Sequence, residues 1–139
     1  MGALDDARLI AFVPTTDLAH ARAFYVETLG LRVAEESPFA CVFDANGTML
    51  RLAPVRRLSR VRYTVVGWGV DDIVSTVESL SAAGVAFLRY RGMDVDDSGI
   101  WTSPSGDRVA WFEDPDGNLL SLTQFAALDA GGSPAGVAI

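Results

Sequence analysis

The sequence contains no lysine, one cysteine and one histidine among its 139 residues. The absence of lysine excludes Schiff-base chemistry. The single cysteine, Cys41, excludes an internal disulfide and a cysteine-rich zinc site, and it fits the reducing cytoplasm in which we expect the protein to reside. The one histidine, His20, lies near Arg22 in the first turns of a predicted helix, so we expect it on the surface.

Long apolar runs and an excess of positive charge are also missing. No apolar run approaches the roughly 18 residues of a membrane span, and residues 1–7 carry two acids and no basic region typical of a secretory signal. The net charge of −7 argues against nucleic acids and anionic membranes as partners. Half of the residues are hydrophobic, as expected for a single globular domain.

A repeated hairpin pattern divides the chain into two similar halves. Residues 43–52 read FDANGTMLRL and residues 113–122 read EDPDGNLLSL, which aligns Arg51 with Ser121. Each segment has an Asn-Gly or Asp-Gly turn between two apolar runs, a pattern that predicts a β-hairpin.

A predicted strand, helix and second strand precede each hairpin. Apolar residues recur at helical spacing between Asp17 and Gly30 and between Asp72 and Gly84. Both glycines stand where a C-terminal helix cap belongs. The helix N-caps are predicted at Thr16 or Asp17 and at Asp71 or Asp72. The flanking strands are predicted at residues 9–13, 31–35, 63–66 and 85–90.

These elements predict an α+β fold made of two tandem β-α-β-β-β modules. The modules span residues 8–53 and 62–125, an arginine-rich linker covers 54–61, and a loose, glycine-rich tail covers 126–139. The stretch from Pro54 to Arg62 holds four arginines, and we expect it to be a solvated connector. The second module carries an acidic insertion from Arg91 to about Ser98.

Three segments of the chain resemble the vicinal-oxygen-chelate superfamily, which includes glyoxalase I, extradiol dioxygenases and bleomycin-resistance proteins. They are TTDLAHARAFYVETLGLRV (15–33), VDDI (70–73) and FEDPDGNLLSL (112–122). The resemblance extends over roughly residues 8–125. It implies paired modules whose curved sheets form an open, barrel-like cleft, usually in a homodimer. The fold hosts many activities, so the resemblance does not name one.

The resemblance also indicates where a metal would bind. In metal-dependent members, the corresponding ligand positions are Ile10, Arg51, Val65 and Ser121. Isoleucine and valine have no donor atom, arginine repels a cation, and a lone serine hydroxyl is a weak ligand. We therefore expect no metal and no other cofactor, and we do not expect metal-dependent glyoxalase or dioxygenase activity.

Without a metal, the cleft is predicted to be an apolar pocket, with Leu119, Ser121 and Thr123 on one strand face. Arg51 is expected to be a buried or half-buried cation, paired with a ligand or with Glu35, Glu36 or Glu113. The candidate ligand-binding residues are Ile10, Phe12, Phe39, Met49, Arg51, Val65, Trp68, Trp101, Trp111 and Ser121.

The tryptophans have two possible roles. Trp68 lies between Gly67 and Gly69, which leaves room for a flat ligand. Trp101 follows the acidic insertion, a neighbourhood that suits a cationic ring. Each tryptophan could instead simply fill a core.

Three functions remain open at this point. The preferred one is a non-catalytic protein that encloses an aromatic or apolar small molecule in a dimer cleft, with the acidic insertion favouring some positive charge on the ligand. The second is a metal-independent isomerase or lyase that uses Glu113 or Asp114 as base and Arg51 as oxyanion partner. The third is a structural or regulatory module whose cleft is packed shut.

Overall fold

The same sheet topology occurs twice along the chain. The structure, a computed structural model, describes residues 2–126, so the predicted tail lies outside the described residues except for Ala126. The chain divides into unit 1 (Met1–Arg60) and unit 2 (Val61–Ile139). No helix in the described part of the chain is long and apolar enough to cross a membrane.

Unit 1 contains one four-stranded mixed sheet and one helix. Its elements are β1 (Ile10–Thr15), α1 (Leu18–Ala23), β2 (Arg32–Ser37), β3 (Ala40–Ala45) and β4 (Thr48–Pro54). The strand order is β1-β4-β3-β2, with β1 parallel to β4 and the other pairs antiparallel. A π-helical turn at Phe24–Thr28 continues α1, so the helical segment ends close to Gly30 as predicted.

Unit 2 repeats this arrangement. Its elements are β5 (Val66–Gly69), α2 (Ile73–Ala82), β6 (Trp101–Thr102), β7 (Arg108–Glu113) and β8 (Leu119–Gln124). The order is β5-β8-β7-β6, and again only the first pair is parallel. The predicted α+β fold of two β-α-β-β-β modules is confirmed, with each sheet curved and open rather than closed into a barrel.

The helix boundaries follow the predicted capping residues. The side chains of Asp17 and Asp72 accept hydrogen bonds of 3.1 Å from backbone nitrogens three residues ahead, and so satisfy donors that the first helical turn leaves free. Gly30 and Gly84 have φ of +76° and +101°, values that side chains disfavour, and they end the helical segments. His20 is exposed, as expected.

The core of each unit lies between its helix and one face of its sheet. In unit 1, the buried Tyr25 ring lies 5.8 Å from the ring of Phe43 on β3. In unit 2, Phe112 on β7 is fully buried and contacts Phe87 at a centroid distance of 5.5 Å. The apolar stripe of α2, which includes the buried Ile73, completes this core.

The strand predicted at residues 85–90 is wrong. This segment has no regular secondary structure, and its backbone bond to β7 is the one from Leu88 nitrogen to the Trp111 carbonyl at 2.8 Å. The reason is the insertion that follows. After Leu88 the chain turns away from β7, and it pairs with β7 again only at β6. The edge of β7 is therefore divided between Leu88, which bonds to Trp111, and β6, which pairs with Arg108 and Val109.

The two hairpins differ in loop length and, by one residue, in their register. In β3–β4, Ala45 pairs with Thr48 around Asn46-Gly47, whereas β7 and β8 close at Glu113–Leu119 around residues 114–118. Positions after the turn therefore keep the predicted alignment of Arg51 with Ser121. Positions before it shift by one, because Val42 pairs with Arg51 while Trp111 pairs with Ser121.

The aspartates that begin these two turns should differ in their effect on stability. Asp114 is buried and accepts bonds from the backbone nitrogens of Asp116 and Asn118 and from the Asn118 amide. We expect Asp114→Ala to lower the free energy of unfolding by about 2 kcal/mol in urea titrations, because buried donors lose their acceptor. The matched change Asp44→Ala should cost clearly less, since Asp44 is exposed and accepts from Gly47 nitrogen. Equal losses would contradict this.

Candidate functional site

One face of sheet 2 points away from helix α2. The Gln124 Oε1 atom accepts a hydrogen bond of 2.8 Å from the Ile73 backbone nitrogen at the start of α2, so even-numbered residues of β8 face the helix. Leu119, Ser121 and Thr123 lie on the opposite face, which we call the open face of sheet 2. The prediction that these three share one face is confirmed.

The glycines of β5 keep side chains off part of the open face. Gly67 pairs with Ser121, and Gly69 pairs with Thr123. A Cβ atom at Gly67 would lie 2.5 Å from Ser121 Oγ, which is far closer than non-bonded atoms approach. A side chain at position 67 would therefore require the Ser121 hydroxyl to move, whereas glycine fits as it stands and leaves bare backbone at the border of the open face.

The insertion and the residues that flank it, from Tyr90 to Trp101, bring aromatic and apolar side chains to this region. The rings of Tyr90 and Trp111 meet edge to face with centroids 5.5 Å apart. The rings of Trp101 and Trp111 have centroids 6.0 Å apart. Met93 and Trp101 both pack against a buried cluster of Val109, Trp111 and Leu119. The insertion thus builds one wall above the open face.

A cavity of about 750 Å³ lies on the open face and is open to solvent. This volume is within the usual range for small-molecule sites. All of its lining residues belong to unit 2, and five of them are aromatic. They are Arg62, Tyr63, Thr64, Gly67, Trp68, Gly69, Tyr90, Met93, Trp111, Leu119, Ser121, Thr123 and Phe125.

Two hydroxyl groups from β8 belong to the floor of this cavity. Ser121 and Thr123 are only 2% and 5% exposed. Neither hydroxyl is hydrogen-bonded to another residue in the described part of the chain, and both retain contact with solvent. A hydroxyl both donates and accepts, so each can bond to a polar atom of a bound molecule.

The electrostatics of the cavity differ from those of the whole chain. Among the described residues that line it, Arg62 is basic and none is acidic. Burial, and secondly the nearby Glu113 carboxylate, raises the pKa of Tyr90. The Tyr90 phenol therefore remains protonated at neutral pH and is available as a donor.

The sequence-predicted residues of unit 2 do not all reach the cavity. Trp111 and Ser121 line it. Trp68 is also among the lining residues, but it pairs with the buried Leu122 of β8. This pairing directs the Trp68 side chain toward the helix side of the sheet. Trp101 supports Trp111 without lining the cavity, and Val65 holds β8 through a backbone bond of 2.8 Å.

Several lining residues were not found from the sequence. Arg62 was counted with the solvated connector, and Tyr90 was placed in a strand that does not form. Met93 and Phe125 carried no motif of their own. One available signal was that the insertion is flanked by aromatic residues, since Tyr90 precedes it and Trp101 follows it.

Four predicted residues of unit 1 share one face of sheet 1. Ile10 pairs with Met49 and Phe12 with Arg51, which puts their side chains on the same side. Ile10, Phe12 and Met49 are 44%, 58% and 41% exposed. Ile10 and Met49 also border a smaller cavity of about 470 Å³ within unit 1.

Two expectations about unit 1 are wrong. Within a single chain Arg51 is exposed rather than buried, because no other described residue covers its face of sheet 1, and it forms no ion pair with another described residue. Glu36, one of its expected partners, is instead bonded to Arg22 at 2.6 Å. Phe39 does not alternate within a strand, since it lies in the turn between β2 and β3 and is 81% exposed.

The residues at the family's metal-ligand positions do not fit a metal. Ile10 and Val65 offer no donor atom, the Arg51 guanidinium is a permanent cation, and Ser121 offers one hydroxyl. Within residues 2–126, no group of three or more histidine, cysteine, aspartate or glutamate side chains could hold a metal ion. These four positions therefore do not provide the donor set of a metal centre.

Known proteins match both the sequence and the fold. The family model "Glyoxalase/Bleomycin resistance protein/Dioxygenase superfamily" matches residues 8–122. A superfamily member from Sphaerobacter thermophilus is 26% identical with a TM-score of 0.67, covering 84% of this chain and 95% of that chain. One from Alicyclobacillus acidocaldarius is 21% identical with a TM-score of 0.66, covering 88% and 93%.

A solved structure described as lactoylglutathione lyase, from Agrobacterium tumefaciens, is 19% identical with a TM-score of 0.66, covering 85% of this chain and 92% of that chain. At that identity the likeness shows the fold alone. No curated protein matches the sequence significantly. The family model spans most of the sequence, and the fold is similar to those of solved superfamily members. This chain therefore belongs to the glyoxalase/bleomycin resistance protein/dioxygenase superfamily.

Proposed function

We propose that this protein binds an aromatic or apolar small molecule in the cavity of unit 2 without transforming it. The observation that carries the proposal is the cavity itself, which combines aromatic side chains, among them Tyr90 and Trp111, with two nearly buried hydroxyls that bond to no other described residue. Such a site offers a large apolar contact area and a few polar anchors, as small-molecule pockets commonly do. It also disfavours a module whose cleft is packed shut.

Catalysis without a metal receives less support. An isomerase or lyase needs a base within hydrogen-bond reach of its substrate. The cavity has no acid among its described lining residues, and the carboxylate of Asp114 is occupied by the turn that it braces. Arg51, the expected oxyanion partner, is not among the lining residues.

Tryptophan emission should report an occupied cavity. We expect neutral bicyclic aromatics such as naphthamide to raise the melting temperature and quench emission, because Trp111 lines the cavity. Trp111→Phe should abolish most of the quenching. The matched Trp101→Phe should preserve most of it, since Trp101 is not among the residues that line the cavity. If a broad panel of aromatic compounds changes neither emission nor melting temperature, the protein does not bind such ligands.

We further propose that a second copy of the chain covers the exposed face of sheet 1. Ile10, Phe12 and Met49 place exposed apolar side chains next to one another there, and such patches commonly mark interfaces. A second copy is the favoured partner because a two-fold dimer brings the same patch from each chain together.

The single cysteine is free and buried, which supports the cytoplasm as the proposed location.

Charge introduced on this face should separate the copies. We expect Phe12→Glu to convert a dimer into a monomer in sedimentation-velocity experiments, because the new carboxylate would lose its hydration in the interface. Phe39→Glu is the matched control, since Phe39 is equally large and more exposed but lies in a turn. A wild-type protein that sediments as a monomer at all concentrations would refute the dimer.

A further inference from the structure

We propose that the ligand of the unit 2 cavity is a flat aromatic acid whose anionic group pairs with Arg62 while its ring lies over the glycines of β5. This inference rests on the proposed binding function and adds the charge and shape of the bound molecule. It reverses the sign of charge that the acidic insertion alone would favour.

Arg62 is the group that can recognise an anion here. It lines the cavity together with the next two residues, Tyr63 and Thr64, so this stretch of chain forms one wall. Arg62 forms no ion pair with another residue in the range that the structure describes. A guanidinium presents planar, paired donors that match a carboxylate, and beside an apolar wall such a bond is stronger than in open water.

The acids of the insertion do not line this cavity. The Asp96 carboxylate accepts hydrogen bonds of 2.9 Å from the backbone nitrogens of Ser98 and Ile100, and so holds the loop in its fold. Neither Asp94, Asp96 nor Asp97 lines the cavity. The cavity therefore lacks, among its described residues, the carboxylate that a cationic ligand would need.

The net charge of −7 does not reverse this preference. The nearby acids, such as Glu113 close to Tyr90 and Asp94 next to Met93 in the sequence, do not line the cavity, so they act on a bound molecule through solvent and are partly screened. A direct contact with Arg62 is screened much less. The local cation therefore decides the sign of the bound charge, while the net charge slows the approach of an anion.

The floor of the cavity favours a flat molecule. Gly67 and Gly69 leave bare backbone where other residues would project a side chain. The edges of this surface carry the rings of Tyr90 and Trp111, against which a ring can stack or pack edge to face. The free hydroxyls of Ser121 and Thr123 lie beside it and can bond to a ring heteroatom, carbonyl or hydroxyl.

The test compares three naphthalene derivatives of one substitution pattern: the carboxylate, the carboxamide and the methylammonium. Affinities are measured by tryptophan quenching and calorimetry at neutral pH. We expect the carboxylate to bind roughly tenfold more tightly than the carboxamide, and the methylammonium to bind most weakly. This advantage should shrink between about 50 mM and about 500 mM salt.

Two variants assign the preference to a residue. Arg62→Gln should reduce the affinity for the carboxylate to that for the carboxamide and leave carboxamide binding unchanged. Arg56→Gln, from the same connector but outside the cavity lining, should preserve the wild-type order. A carboxamide or methylammonium that binds at least as tightly as the carboxylate, or an Arg62→Gln variant that retains the tenfold preference, would overturn the inference. If no derivative binds the wild type, the proposed binding function fails as well.

Discussion

The close approach of β5 to β8 is the constraint on which the unit 2 cavity depends. Ser121 Oγ occupies the space that a Cβ atom at Gly67 would need, so glycine at this position lets the two strands pair without moving the serine hydroxyl. The same pairing leaves backbone rather than side chains beside Ser121 and Thr123. The contact between Gly67 and Ser121 therefore relates to two features at once. It lets β5 lie close to β8, and it leaves the cavity above Gly67 free of a side chain from that position.

The duplication allows a comparison, because the pairing of β1 with β4 in unit 1 corresponds to the pairing of β5 with β8 in unit 2 but uses different side chains. Phe12 pairs with Arg51 where Gly67 pairs with Ser121. Two large side chains in one unit thus correspond to a glycine and a small hydroxyl in the other. The backbone topology is shared, but unit 1 presents an exposed apolar face that borders a cavity of about 470 Å³, while the cavity on the open face of unit 2 has about 750 Å³. Function in this fold follows from side-chain volume at equivalent positions more than from topology.

Local signals in the sequence account for most of the fold. Asp17 and Asp72 cap helices, and the glycines at 30 and 84 end them, because these effects act within a few residues. The face shared by Leu119, Ser121 and Thr123 also follows from strand alternation alone. These features needed no knowledge of what packs against them.

Features that depend on distant partners were predicted less well. An apolar run at 85–90 looks like a strand, but a strand exists only if its neighbour offers free hydrogen-bonding groups, and β6 takes part of that edge. Arg51 was expected to be buried because its strand alternates, yet alternation does not say whether a face is covered. Phe39 fell in a turn for a similar reason, since the exact limits of a hairpin depend on its register.

The connector illustrates how composition can mislead about a site. Four arginines between residues 54 and 62 describe a polar segment, and polar segments are usually solvated. Composition averages over the segment, whereas a binding site uses individual residues. Arg62 is the last of the four and is directly followed by residues that also line the cavity, so the boundary between connector and site falls within the run. The same holds for the chain's net charge, which sums groups that act at different distances. A bound molecule responds to the few charges within a Debye length, and in this cavity the described lining contributes one, a cation.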